Sequence, residues 1–162
     1  MKNKKVVLIS LLVISILLFG GILYNIFLVK AANISMLNDS WDLDISIPNK
    51  EIEIFDTQNG INGDGQSYFI QEFSENNFEK IVNLKDGIVI DKGNINEVEK
   101  YINKFKKDSI NINKNKIEED FKKYKLEVKK DDKYIYKKNY ENYIILIIKK
   151  DDQKLYSLIW NQ

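Results

Sequence analysis

The sequence predicts an α+β domain, an antiparallel sheet of about six strands packed on two or three helices, preceded by one N-terminal transmembrane helix. Three observations lead to this prediction. Residues 6–29 form an apolar run of 24. Segments in which apolar and polar residues alternate, the period of a half-buried strand, flank a central region. That central region carries apolar residues at helical spacing, and the order strands, helices, strands is typical of α+β folds.

The apolar run predicts a membrane anchor. As a helix its 24 residues reach roughly 36 Å, at about 1.5 Å per residue, and the hydrocarbon core of a bilayer is about 30 Å thick. Lys2, Lys4 and Lys5 precede the run, whereas Lys30 and then aspartates follow it. The positive-inside rule therefore makes residues 1–5 a basic cytoplasmic stub and directs the rest of the chain outside the cell.

This topology divides the chain into four parts. Residues 6–29 are the transmembrane helix, which contacts membrane lipid, residues 30–40 are a polar tether, and residues 41–162 are one extracytoplasmic domain. In an alternative interpretation, the chain is still exported but the apolar segment is a signal peptide that is removed. Val29-Lys30-Ala31 resembles a signal-peptidase exit, so cleavage near Ala31 would release a secreted domain, although signal h-regions are usually shorter than this run.

Alternation predicts six strands, of which the fifth is central. Residues 144–148 are apolar on both faces, as expected of a strand with a neighbour on each side. The charged residues 149–154 form a turn that joins the last two strands in a hairpin. The predicted strands are residues 41–47, 51–55, 67–73, 133–136, 143–148 and 155–160.

Three helices are predicted between the two groups of strands. Ser74 is a suitable N-cap for the first, and Phe73 and Phe78 have the spacing of a hydrophobic staple. Asn94 caps the second helix, with Glu97 three residues later. A third, weaker helical pattern begins near Asn115. These helices supply the layer that packs on the sheet.

The composition excludes several classes of chemistry. The chain has no cysteine, histidine or arginine, and its 25 basic residues are all lysine. A disulfide framework, a thiol nucleophile, a serine–histidine triad and an imidazole-ligated metal are therefore excluded.

Residues 31–99 carry 4 lysines and 14 acids, whereas residues 100–162 carry 17 lysines and 10 acids. Either the two halves attract each other within one domain, or a lysine-rich face meets anionic wall polymer or lipid headgroups. Nucleic acid is not an expected partner.

Residues 56–65 form the most distinctive segment, with three glycines among polar residues. Its structural role is a wide hairpin connection, and its functional interpretation is a binding loop, either for a polar ligand through backbone amides or for Ca²⁺ through carboxylate and amide oxygens. The calcium spacing does not fit an EF-hand, and no cofactor is expected. The candidate binding residues are Asp56, Thr57, Asn59, Gly60, Asn62, Gly63, Asp64 and Gly65, and the calcium candidates among them are Asp56, Asn59, Asn62 and Asp64.

The loop pattern D-T-x-x-G-x-x-G-D-G, followed by an aromatic strand, a helix and a tyrosine-rich C-terminal hairpin, resembles a family of small uncharacterised bacterial proteins. The matching residues are Asp56, Thr57, Gly60, Gly63, Asp64 and Gly65. The family has histidine where this chain has Gln58 and Asn62. The resemblance covers residues 51–82 and 132–160 and implies the fold, with no assigned activity. The two missing histidines speak against a transition-metal site or acid–base catalysis in the loop.

Other candidate features are less specific. Tyr134, Tyr136, Tyr140, Tyr143 and Tyr156 form either a stacking surface for sugars or core and cross-strand packing. The paired acids at residues 131–132 and 151–152 fit solvated turns better than catalysis.

The sequence therefore predicts a membrane-anchored extracytoplasmic domain that binds another envelope protein, an anionic wall polymer or, as an immunity factor does, a toxin. The alternatives are a carboxylate-based envelope hydrolase that uses Asp56 and Asp64, and an accessory subunit of a membrane complex.

Overall fold

The computed structural model describes residues 2–58, 63–111 and 114–162, with side chains from residue 11 onward except at residues 114 and 115. The chain divides into two compact units, residues 1–42 and residues 43–162. The elements in chain order are α1 (Lys2–Trp41), β1 (Lys50–Asp56), β2 (Gly65–Glu72), α2 (Glu75–Val82), β3 (Ile88–Val89), α3 (Ile95–Ile110), α4 (Lys114–Lys123), β4 (Lys133–Asn139), β5 (Asn142–Lys149) and β6 (Lys154–Asn161).

The first unit is the single helix α1, whose 40 residues extend about 60 Å. Its side chains from Leu11 to Val29 are exposed in this structure. The helix is long and apolar enough to cross a membrane, and a signal sequence near an N-terminus has the same properties. It continues through residues 30–40, the predicted tether, because this segment has no glycine or proline to stop it. Asp42, with a φ of 49°, follows its last residue.

The predicted strand at residues 41–47 is wrong. Trp41 ends α1, and residues 43–48 have no regular secondary structure. The alternation nevertheless reflects burial, since Ile45 is buried and Asp42 and Asp44 are exposed. A period of two reports which side chains are buried, but it does not supply the neighbouring backbone that a strand must pair with.

The second unit contains one six-stranded antiparallel sheet in the order β1-β2-β6-β5-β4-β3. The predicted α+β class and antiparallel sheet are confirmed, as are five of the predicted strands. The central position of β5 is confirmed as well, since it pairs with β4 and with β6. The sixth strand, β3, was not predicted, because its two residues are too few to show a period and both are exposed.

The predicted helices α2, α3 and α4 are all present. At the start of α2, Phe73 and Phe78 are both buried, as a staple requires. The Ser74 side chain makes no capping bond; instead the Ser74 backbone N–H donates to Asn49 Oδ1 at 2.7 Å. Asn94 likewise does not cap α3 through its side chain, whose amide donates to the Val89 carbonyl oxygen at 2.9 Å.

One face of the sheet and helices α3 and α4 form the main core. Four aromatic rings, Phe55, Tyr68, Phe105 and Phe121, pack against one another with centroids 5.5–6.2 Å apart. The remaining buried members of this cluster are Ile54, Ile70, Ile90, Val98, Ile102, Ile117, Tyr134, Tyr143, Ile145, Ile147, Tyr156 and Leu158. Three of the five tyrosines proposed as a sugar platform therefore belong to the core.

The other face of β5 and β6 is also buried. Ile144, Leu146 and Ile148 of β5 are 0% exposed. A polar chain crosses from this face to β1: Ser157 Oγ donates to Gln71 Oε1 at 3.1 Å, and Gln71 Nε2 donates to Glu51 Oε2 at 2.6 Å. Burial on both faces explains why the β5 sequence is continuously apolar.

Candidate functional site

Several chain turns meet at one end of the sheet, which we call the loop end. β1 ends there at Asp56, β2 begins at Gly65, and β6 ends at Asn161. The turn between β4 and β5, residues 140–141, lies at the same end, because Tyr143 is paired with Trp160. The antiparallel register thus brings the predicted binding loop to the same end as the C-terminal strand and this turn.

The base of the loop is held by its own side chains. Asp56 Oδ1 accepts hydrogen bonds from the Gln58 backbone N–H at 2.9 Å and from Ser67 Oγ at 2.8 Å. Thr57 Oγ1 accepts from the Gln66 N–H at 2.8 Å, and the Thr57 N–H donates to the Gln66 carbonyl oxygen at 2.8 Å. The Asp56 carboxylate and the Thr57 hydroxyl therefore act in closing the hairpin.

Two glycines of the pattern have positive φ. Gly65 has a φ of 146°, and a Cβ there would lie 2.6 Å from the Thr57 carbonyl oxygen. Gly63 has a φ of 67° with open space around it. Asp64 between them is exposed. The glycine at residue 65 thus serves the close approach of β2 to the start of the loop.

The other predicted loop residues, Asn59, Gly60 and Asn62, lie outside the described residues. Among the residues that the structure describes, no group of three or more acidic side chains is arranged to hold a metal ion. Asp56 already accepts two hydrogen bonds through one carboxylate oxygen. The calcium hypothesis gains no support from the described part of the loop.

A cavity of about 400 Å³ opens at the loop end of the sheet. We call it the loop-end cavity. Its walls come from the start of β2, the C-terminal part of α3, the turn between β4 and β5, and the end of the chain. The lining residues are Gln66, Lys104, Asp108, Asn111, Glu141, Trp160 and Gln162.

Trp160, which lines this cavity, stacks on Tyr143 behind it. The Trp160 and Tyr143 rings are parallel, with an interplanar angle of 2° and centroids 5.9 Å apart. The Lys104 ammonium lies 4.7 Å from the Tyr143 centroid and 5.8 Å from that of Trp160. Trp160 is paired with Tyr143 of β5 on one side and with Gln66 of β2 on the other. Cross-strand partners share a face of the sheet, so the indole lies between an aromatic and a carboxamide neighbour.

One ammonium and two carboxylates line the cavity, and one of the carboxylates pairs with the ammonium. Lys104 Nζ lies 2.5 Å from Asp108 Oδ2, and the Tyr143 hydroxyl donates to the same oxygen at 3.3 Å. Burial, with the Asp108 carboxylate next to it, raises the pKa of Tyr143 far above its usual value, so the phenol stays neutral. Glu141 forms no ion pair within the described part of the chain. The site therefore offers amides, a paired ion couple and one further carboxylate.

A second cavity, of about 490 Å³, lies beside the short edge strand β3. Tyr101 and Tyr136 stack there with centroids 4.1 Å apart, and Lys137 Nζ lies 2.6 Å from Asp86. The hydrogen bond from its hydroxyl to Glu97 raises the pKa of Tyr101 to about 12. The polar groups named here are paired with one another, so this cavity is the weaker candidate for binding.

The remaining sequence candidates are dispersed. Tyr134, Tyr143 and Tyr156 are buried, Tyr136 stacks on Tyr101, and Tyr140 is 90% exposed on its turn. The five tyrosines do not form one surface.

The expectation that residue 132 is a solvated turn acid is wrong. Asp132 is 4% exposed, and its Oδ2 accepts the Lys129 backbone N–H at 2.9 Å inside the turn, which compensates part of the cost of burial. Its partner in the pair, Asp131, is exposed, and so are residues 151–152.

Sequence reasoning missed the loop-end cavity because its residues are scattered between positions 66 and 162. One signal was present: Trp160 is an aromatic residue at the end of the last predicted strand. Comparisons with protein-family models, with curated proteins and with solved structures found no match for this chain. The resemblance of the loop to an uncharacterised bacterial family stays a prediction.

Proposed function

We propose that this protein is a single-pass membrane protein, with its N-terminus in the cytoplasm, that presents residues 43–162 outside the cell as a binding domain. The supporting observation is the division of the chain into an exposed apolar helix and a separate compact unit with its own core. The lysines before the helix favour this orientation over the inverse one.

Binding fits the loop-end cavity better than catalysis does. An acid–base pair needs two groups that are free to exchange protons with a substrate. Lys104 and Asp108 are bound to each other, and Asp56 is engaged in the hairpin. The cavity instead offers an indole and several amides, groups that orient a ligand without reacting with it.

Single-cysteine variants test the topology, because the chain has no cysteine of its own. Tyr140→Cys places a thiol on a 90% exposed turn of the compact unit, and Asn3→Cys places one before the apolar run. We expect a membrane-impermeant maleimide to label residue 140 in intact cells and residue 3 only after lysis. Labelling of residue 3 alone in intact cells would show the opposite topology, with the N-terminus outside the cell. Recovery of residue 140 in the medium, without residue 3, would instead show a cleaved signal.

The same approach tests binding at the loop end. Asn111→Cys, at the rim of the cavity, receives a maleimide carrying a photo-crosslinker on intact cells, and Glu99→Cys on helix α3, which Asn111 follows, is the matched control. Both positions are exposed. We expect a discrete adduct with an envelope component from residue 111 and none from residue 99. Equal adducts from both positions would count against a binding site at the loop end.

A further inference from the structure

We propose that the loop-end cavity binds a sugar ring of an uncharged oligosaccharide, stacked on Trp160 and hydrogen-bonded to Gln66, Asn111 and Glu141. The inference rests on the proposed binding function and names the chemical class of its ligand. The cavity volume of about 400 Å³ lies within the range of small-ligand sites, roughly 300–1,000 Å³.

The first argument is the hydrogen-bonding character of the lining. Gln66, Asn111 and Gln162 carry carboxamides, each able to donate and to accept, and Glu141 carries an acceptor. Gln66 is only 2% exposed, and among the described residues its carboxamide takes part in one hydrogen bond, which Thr57 Oγ1 donates over 3.4 Å. A ligand with many hydroxyl groups, each both donor and acceptor, matches this lining.

The second argument is the position of Trp160. The Tyr143 ring stacks against the indole on the β5 side, and the cavity wall continues on the β2 side with Gln66. Trp160 is half-buried and still lines the cavity, so part of its surface is free to contact a ligand. An aromatic surface next to amides suits a molecule with an apolar C–H face and a polar rim, which is the character of a pyranose ring.

The third argument concerns charge. The lining carries one ammonium, that of Lys104, and two carboxylates, those of Asp108 and Glu141, so an anionic ligand would meet a net negative charge. Glu141 would repel a phosphate at the same rim. The cavity therefore favours an uncharged glycan over the phosphate backbone of an anionic wall polymer.

The test uses the full chain in phosphatidylcholine nanodiscs, because detergents with sugar headgroups would compete. Trp41→Phe leaves Trp160 as the single tryptophan of the two in the chain. Chitotriose and maltotriose are the uncharged probes, and inorganic phosphate and poly(glycerol phosphate) are the charged ones. We expect a saturable change in Trp160 fluorescence with at least one trisaccharide and none with either phosphate probe.

Calorimetry on variants then assigns the site. Trp160→Ala should weaken trisaccharide binding by about tenfold or more, since aromatic anchors dominate binding energy. Glu141→Ala should weaken it by about tenfold through loss of a charged hydrogen bond, and it leaves the aromatic stack in place if Trp160→Ala does not fold. Tyr140→Asn, which removes an exposed aromatic residue next to Glu141 and tolerates the φ of 56°, should bind like the wild type.

Three results would overturn the inference: no saturable change with either trisaccharide at millimolar concentration, wild-type affinity in folded Glu141→Ala, or a response to phosphate alone. The outcomes separate this inference from the proposed function. If residue 140 is labelled from outside but no trisaccharide binds, only the saccharide assignment fails. If trisaccharides bind but residue 140 is not outside, the cavity chemistry stands and the topology fails.

Discussion

Gly65 lies where β2 begins and passes close to the backbone of the β1–β2 loop. Its φ of 146° is a conformation that side chains with a Cβ rarely adopt, and the Thr57 carbonyl oxygen occupies the space that a Cβ would need. The neighbouring Gly63 also has a positive φ but no atoms nearby. Gly65 is therefore required by a close backbone contact, and Gly63 by its backbone conformation alone.

This difference predicts unequal effects of substitution. Gly65→Ala should lower the free energy of unfolding by about 2 kcal/mol or more, because strain and a backbone clash act together. Gly63→Asn is the control and should cost much less, since asparagine tolerates the left-handed region. Urea unfolding of both variants measures the difference. Equal stabilities would mean that the hairpin relaxes around residue 65 at little cost.

Asp132 illustrates a buried acid whose position could not be inferred from its neighbours in the sequence. Burial raises the pKa of this carboxyl above its ordinary value, even though the Lys129 N–H and nearby lysines act in the opposite direction. Because the folded state holds the proton more tightly than the unfolded chain, protonation favours folding. The stability that Asp132 contributes is therefore largest in acid and falls as the pH rises from about 3.9 through the folded-state pKa.

Two substitutions separate the charge from the hydrogen bond. Asp132→Asn keeps an acceptor for the Lys129 N–H and removes the charge, so at neutral pH its melting temperature should equal or exceed that of the wild type, and the advantage should vanish in acid. Asp132→Ala loses the acceptor and should cost about 1 kcal/mol. Thermal unfolding across pH measures both. If the wild type were more stable than Asp132→Asn only at neutral pH, the folded state would lower the pKa of Asp132, which would contradict this prediction.

At the scale of elements, helix α3 connects the core to the candidate site. Phe105 on its inner side is fully buried against Phe55 and Phe121, whereas Lys104 and Asp108 on the same helix line the loop-end cavity. Packing of α3 on the sheet thus sets the position of the polar residues at its C-terminal part. The spacing of apolar residues, three or four positions apart, predicted the helix. It did not predict which end of the sheet the C-terminal part of the helix would reach.

Removal of the Phe105 ring should destabilise the whole domain. Phe105→Ala is expected to reduce the free energy of unfolding by about 3–5 kcal/mol, through lost burial and the cavity left among the aromatic rings. Lys107→Ala, exposed on the same helix, should change it by less than about 0.5 kcal/mol. Urea unfolding followed by circular dichroism measures both. A small loss in Phe105→Ala would indicate that the aromatic cluster collapses into the space.

The elements that sequence reasoning predicted correctly are those with a strong local pattern. β5 and β6 are rich in apolar residues along most of their length, and the amphipathic helix α3 shows its period over more than six residues. β3 has two residues and no pattern, and residues 41–47 have the pattern of a strand but no strand partner. Two strands are needed to form a pair. The pattern of one segment therefore predicts strand pairing only where its burial requires a neighbouring strand.

At the scale of the whole molecule, the acidic half of the chain (residues 31–99) and the lysine-rich half (residues 100–162) pair only some of their opposite charges with each other. Some ion pairs join the acidic half to the lysine-rich half, such as Lys137 with Asp86 and Lys154 with Glu72. Others, such as Lys104 with Asp108 and Lys122 with Glu118, lie within the lysine-rich half. These pairs are mostly exposed and contribute little each, so the fold depends on the apolar core more than on attraction between halves.

Local sequence determined the apolar N-terminal helix, the α+β class and the residues of five strands and three helices, because periodicity and hydrophobicity are properties of short segments. Tertiary structure alone decided that Asp56 and Thr57 close a hairpin, that three tyrosines enter the core, and that Gln66, Asn111, Glu141 and Trp160 surround one cavity. Those positions are distant along the chain, and only the antiparallel register and the packing of α3 bring them together.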